Sequence, residues 1–472
     1  MRRLSSTLLL GLSLLTSSPL IAAEQDLDSV LEGFDEPAES TDNGDTSLDE
    51  VLGGFEEGDT ETDSGGIIVD RKPWQLGGAF TLASAYNYAH NTPAANETDY
   101  RGLSRLRGKL NLELDAELSE SWDARLAGYA WYDGAYAING RDDYTDEVLE
   151  EYESEIELSE AWLRGRLNNR TDLKLGRQIV VWGKSDNIRI TDVINPLDNR
   201  EPGMVDIEDL RLPLGMARLD YYVGDWGVTA MAIPEIRFNK NPPFGSEFYP
   251  YTTPMPDEVI PEDGGDNTEY ALAANGIFSG WDLSLYWARL YDDNPHLVRT
   301  SSGPRLEHNR LTMTGFATNV AIENWLLKAE AAHFNGLEFD SLPNESLARV
   351  DSLLGVEYSG FSETTLTLEV ANRHYLDYGE ALLNEGIEED EWQTALRYQG
   401  DFMHARLHLL ALVSAFGDRL DEGGFGRYSA AYDLADALTV TGGIVNYESG
   451  DKAPFNAIGD SDRVFVDLKY SF

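Results

Sequence analysis

Along most of the chain, apolar and polar residues alternate at every second position. In the run RLRGKLNLELDAEL, Leu106, Leu110, Leu112, Leu114 and Leu118 share one parity with Gly108 and Ala116. Arg105, Arg107, Lys109, Asn111, Glu113, Asp115 and Glu117 take the other. Side chains alternate across a strand, so one face is apolar and the other densely charged. The polar face of a soluble sandwich rarely carries charge at nearly every position. Lipid on one face and lumen water on the other accounts for the pattern.

The alternating stretches are joined by short turns and longer polar loops in turn. Short turns fall before Trp122, near Asn168, before Trp226, Trp281 and Trp325, and near Gly360, Asp401 and Ala435. Longer loops fall near His90 and Tyr144, and at 187–212, 237–267, 294–307, 335–349, 377–389, 419–424 and 449–460. The expected fold is therefore all-β, a transmembrane antiparallel outer-membrane barrel of about 18 strands, an even count with both termini on the short-turn side. Tryptophans that follow short turns fit an interfacial girdle. The last residues, RVFVDLKYSF, alternate to a terminal aromatic, and Tyr470 and Phe472 resemble the signature read by the barrel assembly machinery of Gram-negative outer membranes.

The first residues break the alternation. Arg2 and Arg3 precede the apolar run Leu8–Leu15, and small residues at 21–23 precede an abrupt change to acid at Glu24. Residues 1–23 read as a secretory signal peptide, because the run is shorter than the roughly 20 residues a spanning helix needs. Residues 24–72 crowd Asp and Glu among Ser, Thr and Gly and read as a disordered periplasmic tail. The barrel is expected over 73–472. The formal net charge of -48 argues against a nucleic-acid partner, and the absence of Cys removes disulfides, thiol catalysis and thiolate metal sites. No cofactor or metal is expected.

Inward-facing parity assigns Arg105, Arg107, Lys109, Arg125, Arg218, Asp220, Lys328, Glu330, Glu369, Arg373, Arg397, His404, Arg406 and His408 to a lumen of mixed sign. The stretch from Lys184 to Leu212 is too long for a simple hairpin connection. In it Asp186, Asp192, Asp198, Asp206 and Asp209 interleave with Arg189, Arg200 and Arg211. Such a loop can fold inward and narrow a channel, its charges having no lipid or core role, or stay outside as a surface loop whose charges keep it wet. As an enzyme, the chain would have to use His374 beside Arg373, or His404 with His408. No serine sits in an activated motif, so a polar lumen is the expected reading and an outer-membrane hydrolase is disfavoured.

The same stretch resembles a large family of Gram-negative barrels catalogued as a domain of unknown function and often encoded beside exporters of the RND or MMPL type. Gly176, Arg177, Gln178, Trp182, Gly183, Asp192, Ile194, Asn195, Pro196 and the LRLPLGMARLDYY return from Leu210 carry the resemblance. The GRQ tripeptide is also similar to alginate-export barrels, more distantly. The family resemblance implies a transport role with a periplasmic or inner-membrane exporter as partner.

The tail contains a candidate for that contact, because LDSVLEGFDE from Leu27 returns as LDEVLGGFEE from Leu48. Leu27, Val30, Leu31 and Phe34 lie at i, i+3, i+4 and i+7, as do Leu48, Val51, Leu52 and Phe55, one apolar stripe of a short helix. Ten residues do not hold a helix alone in water, but docked in a partner's groove they can. Two copies on one flexible tether raise the local concentration of the motif at a multimeric partner. The expected function is an outer-membrane channel or transport component recruited by this tail, with a self-sufficient diffusion porin as the alternative.

Overall fold

The computed structural model describes residues 73–472 apart from 95, 96, 206 and 344. The signal peptide, the acidic tail and its doubled motif, from Leu27 to Phe55, lie outside the described residues, as does Asp206.

Five strands open the barrel: β1 (Trp74–Asn87), β2 (Gly102–Ser119), β3 (Trp122–Asp133), β4 (Ser154–Asn168) and β5 (Thr171–Gln178). The chain leaves the wall for residues 179–213, then returns as β6 (Leu214–Val223) and β7 (Trp226–Ile233). A second excursion, 234–268, carries the two-residue β8 (Glu258–Val259) and leads into β9 (Glu269–Phe278) and β10 (Trp281–Tyr291). Next, β11 (His296–Thr300) and β12 (Gly303–Glu307) form a hairpin that joins β8 in a small separate sheet. The wall resumes with β13 (Arg310–Ile322), β14 (Trp325–Glu338), β15 (Ser346–Phe361) and β16 (Thr364–Tyr375). It ends with β17 (Asp390–Phe402), β18 (Leu407–Phe416), β19 (Gly424–Ala435), β20 (Leu438–Glu448) and β21 (Arg463–Ser471).

Each wall strand pairs antiparallel with its neighbours, and β21 pairs back onto β1 from Ala79↔Ser471 to Asn87↔Arg463. The 18-stranded sheet is thereby a closed ring. Closure satisfies every wall backbone laterally, the condition for crossing hydrocarbon with strands. The faces follow the alternation: Leu110, Leu112 and Leu118 of β2 are exposed on the outside, whereas Arg105 is buried on the inside. Trp74, Trp122, Trp226, Trp281 and Trp325 each begin a strand at the short-turn end. That is where amphipathic indoles favour a membrane boundary.

One turn sits later than its sequence suggests. Gly400 and Asp401 still belong to β17, and the chain reverses at Met403, His404 and Ala405, all with left-handed φ near 57°. No glycine marks that reversal. Gly400 instead lies on the outer face beneath Tyr398 and Phe402, where a Cβ would come 2.8 Å from the Tyr398 hydroxyl. The shift corrects two lumen assignments: His404 is a turn residue, and Arg406 is exposed at the rim, donating to the Asp433 carbonyl at 2.9 Å.

Phe472 completes the ring by exchanging backbone hydrogen bonds with Gly78 at 2.9 and 3.0 Å, and its ring packs beside Tyr470 on the outer face. Phe472→Asp places a charge at the lipid-facing end of the closing strand, where interfacial charge costs up to about 1 kcal/mol, and removes the terminal aromatic. The expected result is a severalfold drop in outer-membrane accumulation, measured by fractionation and heat-modifiability on gels. Normal accumulation would rule out an assembly role for this residue.

Candidate functional site

Residues 179–213 fold into the barrel, and the wall prepares a seat for them. On β7, β9, β10 and β13 the inward parity is apolar and small: Met231, Ile233, Ala271, Ala273, Ala288, Met313 and Ala317 are buried there. They form one core with Val180, Trp182, Ile188, Ile190 and Ile194 of the segment. Trp182 stacks on Tyr286 with centroids 4.6 Å apart, and the Gly183 amide donates to the Tyr286 hydroxyl at 3.2 Å. Gly183 has φ +86°, and a Cβ there would lie 2.9 Å from the Glu330 carboxylate, so close approach and backbone both require glycine.

Two inward carboxylates hold the tip. Glu330 of β14 accepts from the amides of Lys184 (2.5 Å), Ser185 (2.8 Å) and Thr191 (3.2 Å) and from the Thr191 hydroxyl (2.7 Å). Glu369 of β16 accepts from the Ser185 hydroxyl (2.8 Å), the amides of Asp186 (3.0 Å) and Asn187 (3.1 Å), and Asn187 Nδ2 (3.1 Å). Lys328 of β14 pairs with Asp186 and, at 3.2 Å, with Glu357. Lys184 reaches Asp282 of β10 at 2.8 Å.

Within the segment, Asp192 pairs with Arg211 at 2.8 Å and with Arg189 at 3.2 Å, and accepts from the Trp182 amide at 3.2 Å. Asn195 accepts from the Val180 amide at 2.8 Å and donates to the Leu212 carbonyl at 2.8 Å, tying the two legs together. Gln178 at the root is fully buried. The residues that carry the family resemblance are thus largely those that root, stack and cross-tie the segment.

The chain then meets the opposite wall. Arg200 pairs with Asp198 (2.6 Å), Glu155 of β4 (2.6 Å) and Glu151 (3.0 Å). Glu201 faces Arg105 and, at 3.2 Å, Arg107, both on β2. Burial pushes the Glu201 carboxyl up, but those two guanidiniums win and hold it well below the usual carboxylate range. Tyr447 of β20 donates to the Pro202 carbonyl at 2.6 Å. Contacts on β10, β14 and β16 and on β2, β4 and β20 mean that one segment crosses the lumen.

Of the eight segment charges singled out from sequence, Asp192, Arg200 and Arg211 are buried, and Arg189 is half-buried in the same network. This corrects the expectation that the charges have no core role: they neutralise one another inside a packed insert. Asp186 and Asp198 keep partial exposure, and Asp209 is exposed and outside the network. Of the lumen residues, Arg125 pairs with Glu113 (2.5 Å) and Glu160 (3.1 Å), and Arg373 lies 3.8 Å from Asp351. The Lys109 ammonium sits 4.1 Å from the Tyr129 ring centroid.

Sequence reasoning missed a second in-folded piece, residues 234–268. Its Arg237 pairs with Glu157 at 2.8 Å, Lys240 with Glu155 at 2.6 Å, and Asn239 accepts from the Leu197 amide at 2.7 Å. Farther on, Glu247 pairs with Arg463 of β21 at 3.0 Å. This strap lies directly against the first segment. In the loop after β10, with Arg189 and Glu269 nearby, burial pushes the Asp293 carboxyl up to about 7. A sequence signal for an occupied lumen existed, since WGVTAMAI and EYALAANGIF are mostly apolar on both parities and carry one acid between them, which a water-filled lumen does not explain.

Two of the three histidines considered for hydrolysis are bound by acids: His374 by Asp390 at 2.9 Å, and His408 by Asp401 at 2.6 Å and Asp433 at 3.3 Å. Among the described residues neither bonds a serine hydroxyl.

A closed ring of 18 antiparallel strands with a cross-lumen segment defines a transmembrane barrel of porin-like architecture. By sequence the chain matches, over residues 4–472, the family described as Protein of unknown function (DUF1302), and it belongs to that family. No curated protein matches it in sequence. Among solved structures, Acinetobacter baumannii OccAB2 aligns with TM-score 0.52 at 11% identity, covering 86% of this chain and 99% of its own. A BenF-like porin from Pseudomonas fluorescens aligns with TM-score 0.51 at 12% identity, covering 86% and 100%. At such identities the likeness is one of fold.

Proposed function

We propose that the protein is an outer-membrane channel, not an enzyme, in which residues 184–212 form the constriction. The observation that carries this reading is the segment pinned by Glu330 and Glu369 inside a closed ring whose outer face is apolar. Fold likeness to a BenF-like porin supports it. Purified full-length chain in planar bilayers should give discrete conductance steps. A folded, heat-modifiable barrel that gives none would overturn the channel reading.

The channel serves a larger transport system, an RND-type exporter or a periplasmic component, which docks on the doubled motif of the tail. Support comes from the resemblance to barrels encoded beside such exporters and from the two apolar stripes in an otherwise solvated segment. A large side chain fully removed from water contributes roughly 1.5–3 kcal/mol, so Phe34 and Phe55 are the main anchors. Phe34→Ala should weaken the partner complex moderately, and Phe34→Ala with Phe55→Ala should abolish it, read by pull-down with barrel insertion intact. The second reading, a self-sufficient diffusion porin, draws on the porin-like fold alone. Deletion of residues 24–72 without loss of transport would decide for it.

A further inference from the structure

Many lumen guanidiniums are answered by acid. Arg105 and Arg107 face Glu201, Arg177 faces Glu157 and Glu235, Arg349 faces Asp351, and Arg463 faces Glu247. Arg397 of β17 differs. Its register neighbours Thr367 and Leu412 place it on the inner face, and its buried Nε has no acceptor among the described residues. The sequence has 84 acidic residues against 36 Lys and Arg, so want of acid cannot explain an unanswered cation. A buried donor left without an acceptor is costly unless a guest completes it.

Space for a guest is present. A cavity of about 680 Å³ opens on this side chain at the short-turn half of the barrel, with Ser359, Thr365, Gln399, Ser429 and Thr441 in its lining. Arg427 of β19 lines it too. Arg397 pairs in register with Leu412, and Leu412 with Arg427, so the two arginines stand two strand spacings apart in one row, roughly 10 Å between backbones. Arms of that length can converge on one group between them. Two acids line the cavity edge: Asp401 is already engaged by His408 at 2.6 Å, and Glu363 is an exposed turn residue with a left-handed φ of 52°.

We propose that this compartment is a binding station for a small solute bearing an oxyanion, a carboxylate or a phosphate, held by Arg397 with Arg427 at its side. The guanidinium fork matches either group with two parallel hydrogen bonds, which a lysine cannot reproduce. The hydroxyls and the Gln399 amide supply neutral polar contacts to the rest of the solute. Resting on the channel reading, the station lies on the short-turn side of the constriction, in the path between segment and periplasm.

The test titrates the purified full-length barrel in detergent with inorganic phosphate and, separately, with gluconate, by calorimetry. Saturable binding of at least one probe is expected, weakened tenfold or more by Arg397→Gln and only partly restored by Arg397→Lys. Arg419→Gln, a matched charge change on an 81% exposed loop side chain, should leave it unchanged. Preference for one probe assigns carboxylate or phosphate. In bilayers under a salt gradient, Arg397→Gln should shift the reversal potential toward cation preference and relieve block by the bound probe. Failure of both probes to bind, or equal binding by Arg397→Gln, overturns the station. Binding as expected in a barrel that conducts no current overturns the channel reading and leaves the station standing.

Discussion

Replacing Glu330 and Glu369 together by glutamine is expected to free the tip of the in-folded segment and raise single-channel conductance severalfold. Each carboxylate accepts four hydrogen bonds from the segment, and all its partners are donors. Glutamine keeps the volume but turns one oxygen into an NH₂ group facing other N–H groups. Hydrogen bonds to a charged group contribute about 1.5–3 kcal/mol each, and a buried donor left unsatisfied costs about 1–3 kcal/mol. The loss across two anchors is therefore several kcal/mol. The wall strands keep their ladders, so the barrel should still shift on heating in gels. An intact barrel with unchanged conductance would mean that the segment does not limit the pore.

Arg211→Ala is expected to destabilise the insert, by less than the about 3–5 kcal/mol of a fully stranded buried charge, because Asp192 loses its closer partner and keeps only Arg189 at 3.2 Å. Both side chains of this pair are only 5–6% exposed. Arg164→Ala offers the contrast: its partner Asp123 lies at a similar 3.1 Å, but Arg164 is 59% exposed, where a pair contributes about 0–1 kcal/mol. Protease nicking within residues 184–212 of the folded barrel, in detergent, reports the difference. Arg211→Ala should become sensitive, and Asp192→Ala with Arg211→Ala should be less sensitive than Arg211→Ala alone. Equal resistance of Arg211→Ala and Arg164→Ala would show that the buried pair is not what holds the insert.

The wall was legible from sequence because its information is local and repeated. Period-2 alternation fixes which side chains meet lipid, and a one-residue slip in RLRGKLNLELDAEL would turn Lys109 and Glu113 outward, so the register cannot drift. The turn near Asp401 was misplaced for an equally local reason: Gly400 is a strand glycine lying under aromatic rings, whereas the true reversal at Met403–Ala405 carries no glycine. The charges of 184–212 were visible, but their partners were not. Glu330 lies 146 residues from Lys184, and Glu369 lies 182 from Asn187.

By itself, the sequence determined the closed all-β wall, its strand count, its lipid face and the segment that leaves it, because each follows from spacing along a few consecutive residues. Tertiary contacts alone carry the segment across the lumen, bury Asp192 and Arg211 within it, strap it down with residues 234–268, and leave Arg397 without an acid among the described residues. Pairing of a lumen side chain depends on which strands face one another across a closed ring, and closure brings together residues whose separation in sequence carries no periodic mark.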